Sequence, residues 1–152
     1  MDERTDWVVR AMRPEDLDAT LDMWVAAWQA AYPAIDFSAR RDWARAHIGE
    51  LMRTGSQTLV ATCAGRIVGA LIVDPATGYL DQIVVANEFQ GRGIAEVLLA
   101  RARAIAPEGL ELHVNQDNAR AIGFYSKHGF AAAGEDVNPR SGAPTLRMRW
   151  QP

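Results

Sequence analysis

Between Gln57 and Val85 three β-prone runs follow one another so closely that they can only fold as an antiparallel meander. Gln57 to Ala64 and Ile67 to Val73 are parted by Gly65-Arg66, a hairpin turn, and Asp74-Pro75-Ala76-Thr77-Gly78 turns the chain into Tyr79 to Val85. The pattern then changes. Gln90-Gly91-Arg92-Gly93 opens a helix through Ala106, with Ile94, Val97, Leu98 and Ile105 on its apolar side and Pro107 and Gly109 at its end. Leu110, Leu112 and Val114 alternate with Glu111 and His113 as a strand, and a helix runs from about Asn118 to His128. This strand, helix, strand, helix order predicts parallel pairing.

On either side the elements are simpler. Trp7 to Met12 reads as a strand, and Arg13-Pro14-Glu15-Asp16 as a helix start. Leu17, Leu21, Trp24 and Trp28, with Tyr32 a turn further, mark an amphipathic helix ended by Pro33. Ser38 is placed to cap a second helix through about Arg53, carrying Trp43, Ile48 and Leu51. Phe130 to Val137 and Thr145 to Trp150 are closing strands joined by Asn138-Pro139-Arg140-Ser141-Gly142.

With 152 residues, 49% hydrophobic and 23% charged, the chain suits one α/β (α+β) domain over 1–152, its core spanning about 7–150. Sixteen basic against 19 acidic side chains give a net charge of -3, without the cationic excess that phosphate-backbone binding demands, so no nucleic-acid partner is expected. No apolar run nears the roughly 18 residues of a membrane span, and the polar start MDERTD lacks the form of a signal peptide; a cytoplasmic protein without a membrane partner is expected. The single cysteine, Cys63, permits no internal disulfide and reads as a buried small hydrophobe. His47, His113 and His128 show no zinc-site spacing, so no metal is expected; His113 reads as a solvated strand residue.

Two segments carry chemistry. Gln90-Gly91-Arg92-Gly93-Ile94-Ala95 lies where a strand passes into a helix, so free N–H groups and the positive end of the helix dipole can meet an anion such as a pyrophosphate. The glycines allow close approach, and Arg92 adds charge; a turn that merely joins two elements would look the same. In the second segment, Asn118 and Tyr125 stand seven residues apart, two turns along nearly one side of a helix that Gly129 ends before Phe130.

Together these segments resemble the GNAT superfamily of N-acetyltransferases. Gln90-x-x-Gly93-x-Ala95 fits its acetyl-CoA loop, Asn118 through Phe130 fits its N-x-x-A…FY-x-x-x-GF segment, and the order of elements agrees from about Trp7 to Trp150. The resemblance implies a mixed, mostly antiparallel sheet of six to seven strands flanked by about four helices, with a splayed parallel pair forming the acetyl-CoA cleft. It implies that the backbone of Ile83, Val84 and Val85 holds the pantetheine arm. Gly91, Arg92, Gly93, Ile94, Ala95 and Glu96 would hold the pyrophosphate, with Gln90 a further cofactor-binding residue of that loop; Asn118 would contact the arm, and Tyr125 would lie beside the thioester sulfur. The joining loop of the first two helices would wall an acceptor pocket, bringing Trp28, Tyr32, Pro33 and Asp36 toward substrate, although Trp24, Trp28 and Tyr32 read first as a core-facing stripe.

Direct acetyl transfer to a primary amine needs a neutral nucleophile, a donor for the departing thiolate and N–H groups for the oxyanion. Tyr125 suits the donor. Asp81 shares a strand face with Tyr79, Ile83 and Val85 and is the first choice for proton removal; an acid that only orients substrate is the alternative, and Tyr79 is the second choice. A small cationic amine is the expected acceptor, with acetyl-CoA as co-substrate. A protein or peptide amine and a non-catalytic acyl-CoA-binding domain are the other readings, and a homodimer stays open.

Overall fold

The computed structural model describes residues 7–152. The polar start, read above as no leader, lies outside the described residues. Strand β1 (Trp7–Ala11) leads through one 3-10 turn, Pro14–Asp16, into helix α1 (Leu17–Ala31). A second 3-10 turn, Phe37–Arg40, precedes α2 (Arg41–Arg53). Strands β2 (Gln57–Cys63), β3 (Arg66–Val73) and β4 (Leu80–Val85) form the meander. Helix α3 (Ile94–Ile105), β5 (Leu110–Asn115), α4 (Ala119–Lys127), β6 (Ala131–Val137) and β7 (Pro144–Trp150) complete the fold.

Among the described residues, seven strands make two sheets. β1-β2-β3-β4 is wholly antiparallel, and β5-β7-β6 is a second antiparallel sheet with the last strand in its middle. The parallel pairing expected between β4 and β5 shrinks to a single bridge, Tyr79 to Glu111, where the Glu111 N–H donates to the Gly78 carbonyl at 3.0 Å. Tyr79, expected inside β4, is therefore the joint just before it. The core runs across the first sheet and under α1 and α3, with Leu21, Val60, Val68, Leu71, Ile94, Leu98 and Leu99 at 0–1% exposure.

Three local expectations change. Asp36 caps the turn before α2 by accepting from the Ser38 N–H at 3.1 Å and from the Ser38 hydroxyl. A carboxylate one position before a 3-10 turn outcompetes the serine as cap. Val97 is exposed, while Leu99 and Ala102 join Ile94 and Leu98 against the sheet, because the buried arc of α3 follows steps of four rather than three. Trp43 is also partly exposed. Ala44 and Ile48 supply the buried face of α2, and the indole turns toward the loop between β6 and β7. Cys63 is buried, as expected.

Candidate active site

Beyond the Tyr79–Glu111 bridge, β4 and β5 are facing edges of different sheets. Every second residue on each edge turns its N–H and C=O into the gap, where backbone groups require partners. Ile83, Val84 and Val85 pair on their other side with Leu71, Ala70 and Gly69. A ligand carrying amide groups can complete such an edge as another strand would.

Past the end of β4 the chain reaches Gly91 at φ 77° and Gly93 at φ 94°, conformations that side chains with a Cβ rarely adopt. Gly93 is the N-cap of α3, and the first N–H groups of that helix, from Ile94 onward, lack intrahelical acceptors. The Arg92 guanidinium stacks 4.9 Å from the Phe89 ring centre. Glu96 lies 3.9 Å from His128. None of Gln90 to Glu96 lines the main cavity, so that segment is a separate anion-suited rim.

The main cavity, about 760 Å³, opens between the two sheets. α1 contributes Trp28 and Tyr32, whose rings stack at 5.9 Å, with Phe37 stacked on Trp28 at the same distance. Trp24 lies deeper in the same aromatic run and is buried. Pro33 and Asp36 are not among the cavity's lining residues, although Ile35 between them is; Asp36 instead caps the turn before α2. The Tyr32 hydroxyl donates to Asp117 at 2.7 Å and accepts from the Asn115 amide at 3.2 Å, tying α1 to the loop after β5.

α4 brings in Asn118 and Tyr125. Asn118 is its N-cap, the side-chain oxygen accepting from the Ala121 N–H at 3.2 Å. At the other end, the Phe130 N–H donates to the Tyr125 carbonyl and the Gly129 N–H to the Ser126 carbonyl, the paired bonds that close a helix before a strand. The Phe124 and Phe130 rings meet Tyr125 edge-on at 5.5 and 5.4 Å. Burial among them pushes its phenol up to about 12.

Asp81 lines the cavity with Tyr79 and Ile83, and both its oxygens lie near His47 Nε2, at 2.9 and 3.1 Å. His47 stacks on Trp43 at 4.7 Å, and the Arg140 guanidinium covers that indole at 3.3 Å. The loop between β6 and β7 is thus strapped to α2 by residues that line the cavity. His113 is exposed on β5, as expected, and both its ring nitrogens have partners, Tyr79 and Asp136. The cavity therefore carries three carboxylates, Asp81, Asp117 and Asp136, against the guanidiniums of Arg40 and Arg140.

His47 and Arg140 escaped the sequence reading because 34 and 97 residues separate them from their partners Asp81 and Trp43, with no spacing signal between them. His113 was open to discovery, since the register placing Tyr79 opposite Glu111 brings His113 within reach. Among the described residues, no group of three or more His, Cys, Asp or Glu is arranged to hold a metal ion, and no helix is long and apolar enough to cross a membrane.

A family model of the acetyltransferase (GNAT) family matches residues 17–130. The chain is 25% identical over 137 residues, 90% of its length and 91% of the relative's, to the peptidyl-lysine N-acetyltransferase YjaB of Salmonella typhimurium. Its fold is similar to that of the PaiA N-acetyltransferase of Thermoplasma acidophilum, a structure in complex with coenzyme A, with TM-score 0.81, 17% identity and coverage of 96% and 99% of the two chains. It is similar also to the ribosomal-protein-S18-alanine N-acetyltransferase of Escherichia coli, with TM-score 0.74, 17% identity and coverage of 95% and 93%.

Proposed function

Since the chain belongs to the acetyltransferase (GNAT) family, we propose that it moves an acetyl group from acetyl-CoA directly to the primary amine of a small cationic molecule, in a ternary complex. The observation that carries this reading is that Tyr125 and Asp81 line one cavity, along the open edge of β4. The residues fit the co-substrate: strand edges for the amides of its arm, and the helix start behind Gly91 and Gly93 for its pyrophosphate. Asn118 would touch the arm from α4.

In this reading Asp81 faces the ammonium and Tyr125 faces the sulfur. A thiol has a pKa of about 8.5, so a phenol held at about 12 keeps its proton and stabilises the departing thiolate by hydrogen-bond donation, short of full transfer. Backbone N–H groups of the β4 edge would stabilise the oxyanion. An alkylammonium is a weaker acid than a carboxylic acid by about six pH units, so a lone carboxylate holds the cation better than it deprotonates it. Asp81 would dock the ammonium, with Trp28, Tyr32 and Tyr79 around the rest of the acceptor.

The strap of Arg140 on Trp43 supports a small acceptor, because both residues line the cavity and their contact fills space that a peptide would need. The relatives' names point to a lysine side chain and an alanine amine, so a peptide acceptor is the reading to test against. Calorimetry with acetyl-CoA and CoA, followed by thiol release over a panel of diamines, amino acids and lysine peptides, decides. Binding with turnover of small amines is expected. Turnover of peptides alone would replace the acceptor, binding without turnover would leave an acyl-CoA-binding domain, and absence of binding would remove the co-substrate.

A further inference from the structure

Tyr79, His113 and Asp136 arrive from the joint before β4, from β5 and from β6, and all three line the cavity. The Tyr79 hydroxyl is 2.8 Å from His113 Nδ1, and His113 Nε2 is 2.9 Å from an Asp136 carboxylate oxygen. A carboxylate only accepts, so Nε2 carries the ring proton and Nδ1 is left as acceptor. The Tyr79 hydroxyl must then donate to Nδ1. Its oxygen keeps lone pairs able to take another hydrogen, two residues along the chain from Asp81 at the start of β4.

We infer that Tyr79, His113 and Asp136 form the route by which the acceptor amine loses its proton, with Tyr79 touching the substrate, His113 receiving the proton through it and Asp136 as a positioning residue. This rests on the proposed function. The ammonium N–H bond breaks as a new O–H bond forms on Tyr79. The original Tyr79 O–H bond breaks as an N–H bond forms at His113 Nδ1, and the freed amine lone pair attacks the thioester carbonyl. Positive charge passes from ammonium to imidazolium beside Asp136, which stands partly exposed, and the proton leaves to water.

Other charges bear on the imidazole. Arg147 of β7 lies opposite His113 in register, with its Nε 4.0 Å from Asp136, and opposes the imidazolium. Glu111, two residues away on β5, is taken up by Arg149 of β7 at 2.6 Å. Desolvation first, then Asp81, Glu111 and Asp136, push the Tyr79 phenol up to about 12. A free phenolate is thus disfavoured at neutral pH, whereas a hydroxyl that gives one proton while taking another is neutral before and after.

The test is the pH profile of kcat/KM for an active amine, with acetyl-CoA affinity and Tm measured alongside. His113→Gln is expected to lower kcat about 100-fold and to remove a rising limb of the profile, leaving acetyl-CoA affinity within about twofold. Tyr79→Phe should cost a similar factor, and the double variant little more, because both interrupt one path. Asp136→Asn should lower kcat about 10-fold while leaving the KM for the amine and acetyl-CoA affinity within about twofold; unfolding cannot imitate that split, which decides the matter should His113→Gln lose stability. Wild-type turnover with an unaltered profile in His113→Gln and Asp136→Asn overturns the relay alone. A wild type that releases thiol with no amine overturns the proposed function and the relay with it.

Discussion

Gly78 faces Gly109 so closely that a Cβ added at Gly78 would overlap the Gly109 carbonyl oxygen, at the one strand bridge joining the two sheets among the described residues. Gly78 also holds φ at 75°. Gly78→Ala therefore combines backbone strain with a clash that no rotamer relieves, and should destabilise by roughly 2 to 4 kcal/mol. Thermal unfolding checks the loss, and calorimetry with acetyl-CoA should show weaker binding because the gap between β4 and β5 is set at this joint.

Tyr125→Phe removes the proposed donor but keeps the ring between Phe124 and Phe130. A hydrogen bond to a charged partner contributes about 1.5 to 3 kcal/mol. Thiol-release kinetics should show kcat lowered about 10- to 100-fold, with acetyl-CoA affinity nearly intact. Full turnover would remove Tyr125 from the chemistry.

Asp81→Asn keeps a partner for His47 and removes the charge. The KM for a cationic amine should rise about 10- to 100-fold while acetyl-CoA binding is unchanged. An equal loss for a neutral amine acceptor would contradict docking by charge.

Arg140→Ala releases the strap over Trp43. A cation–π contact contributes about 0.5 to 1 kcal/mol at exposed sites, so the cavity should widen on that side at small cost in Tm. Competition between a diamine and a lysine peptide is the readout, the peptide gaining about 2- to 5-fold in kcat/KM.

Asp16 gives a stability signature apart from the site. It accepts both arms of the Arg10 fork at 2.6 and 2.9 Å and the Arg13 N–H at 2.7 Å, with the Arg10 bond the largest cause holding its carboxyl at about 2. A folded-state value below the unfolded one stabilises above about pH 4, and the gain is lost as pH falls toward about 2. Acid titration of unfolding should show a loss of about 1 to 2 kcal/mol in that window, missing in Asp16→Asn.

Local signals carried most of the fold. The meander was legible because its turns are too short for any other connection, and the helix of Asn118 and Tyr125 because its cap and its stop are both local. What escaped depended on distant partners. β7 enters between β5 and β6, a choice made by tertiary packing and absent from any local period. Val97 and Trp43 have the spacing of core residues, yet neighbours better placed on the arc take the buried positions. At the candidate site, the glycine loop and the tyrosine stood out, whereas His47 and Arg140 acquire meaning only once α2 meets β4 and the β6–β7 loop.

The open edges of β4 and β5 divide the molecule into two kinds of specificity. The arm of the co-substrate in the proposed complex is read mainly by peptide groups, which all residues but proline carry alike, so most substitutions along those strands leave that reading intact while the strands persist. The acceptor is read by an aromatic wall, three carboxylates and one strapped loop, all of them side chains. Acceptor choice can therefore drift by single substitutions on a scaffold whose donor chemistry stays constant.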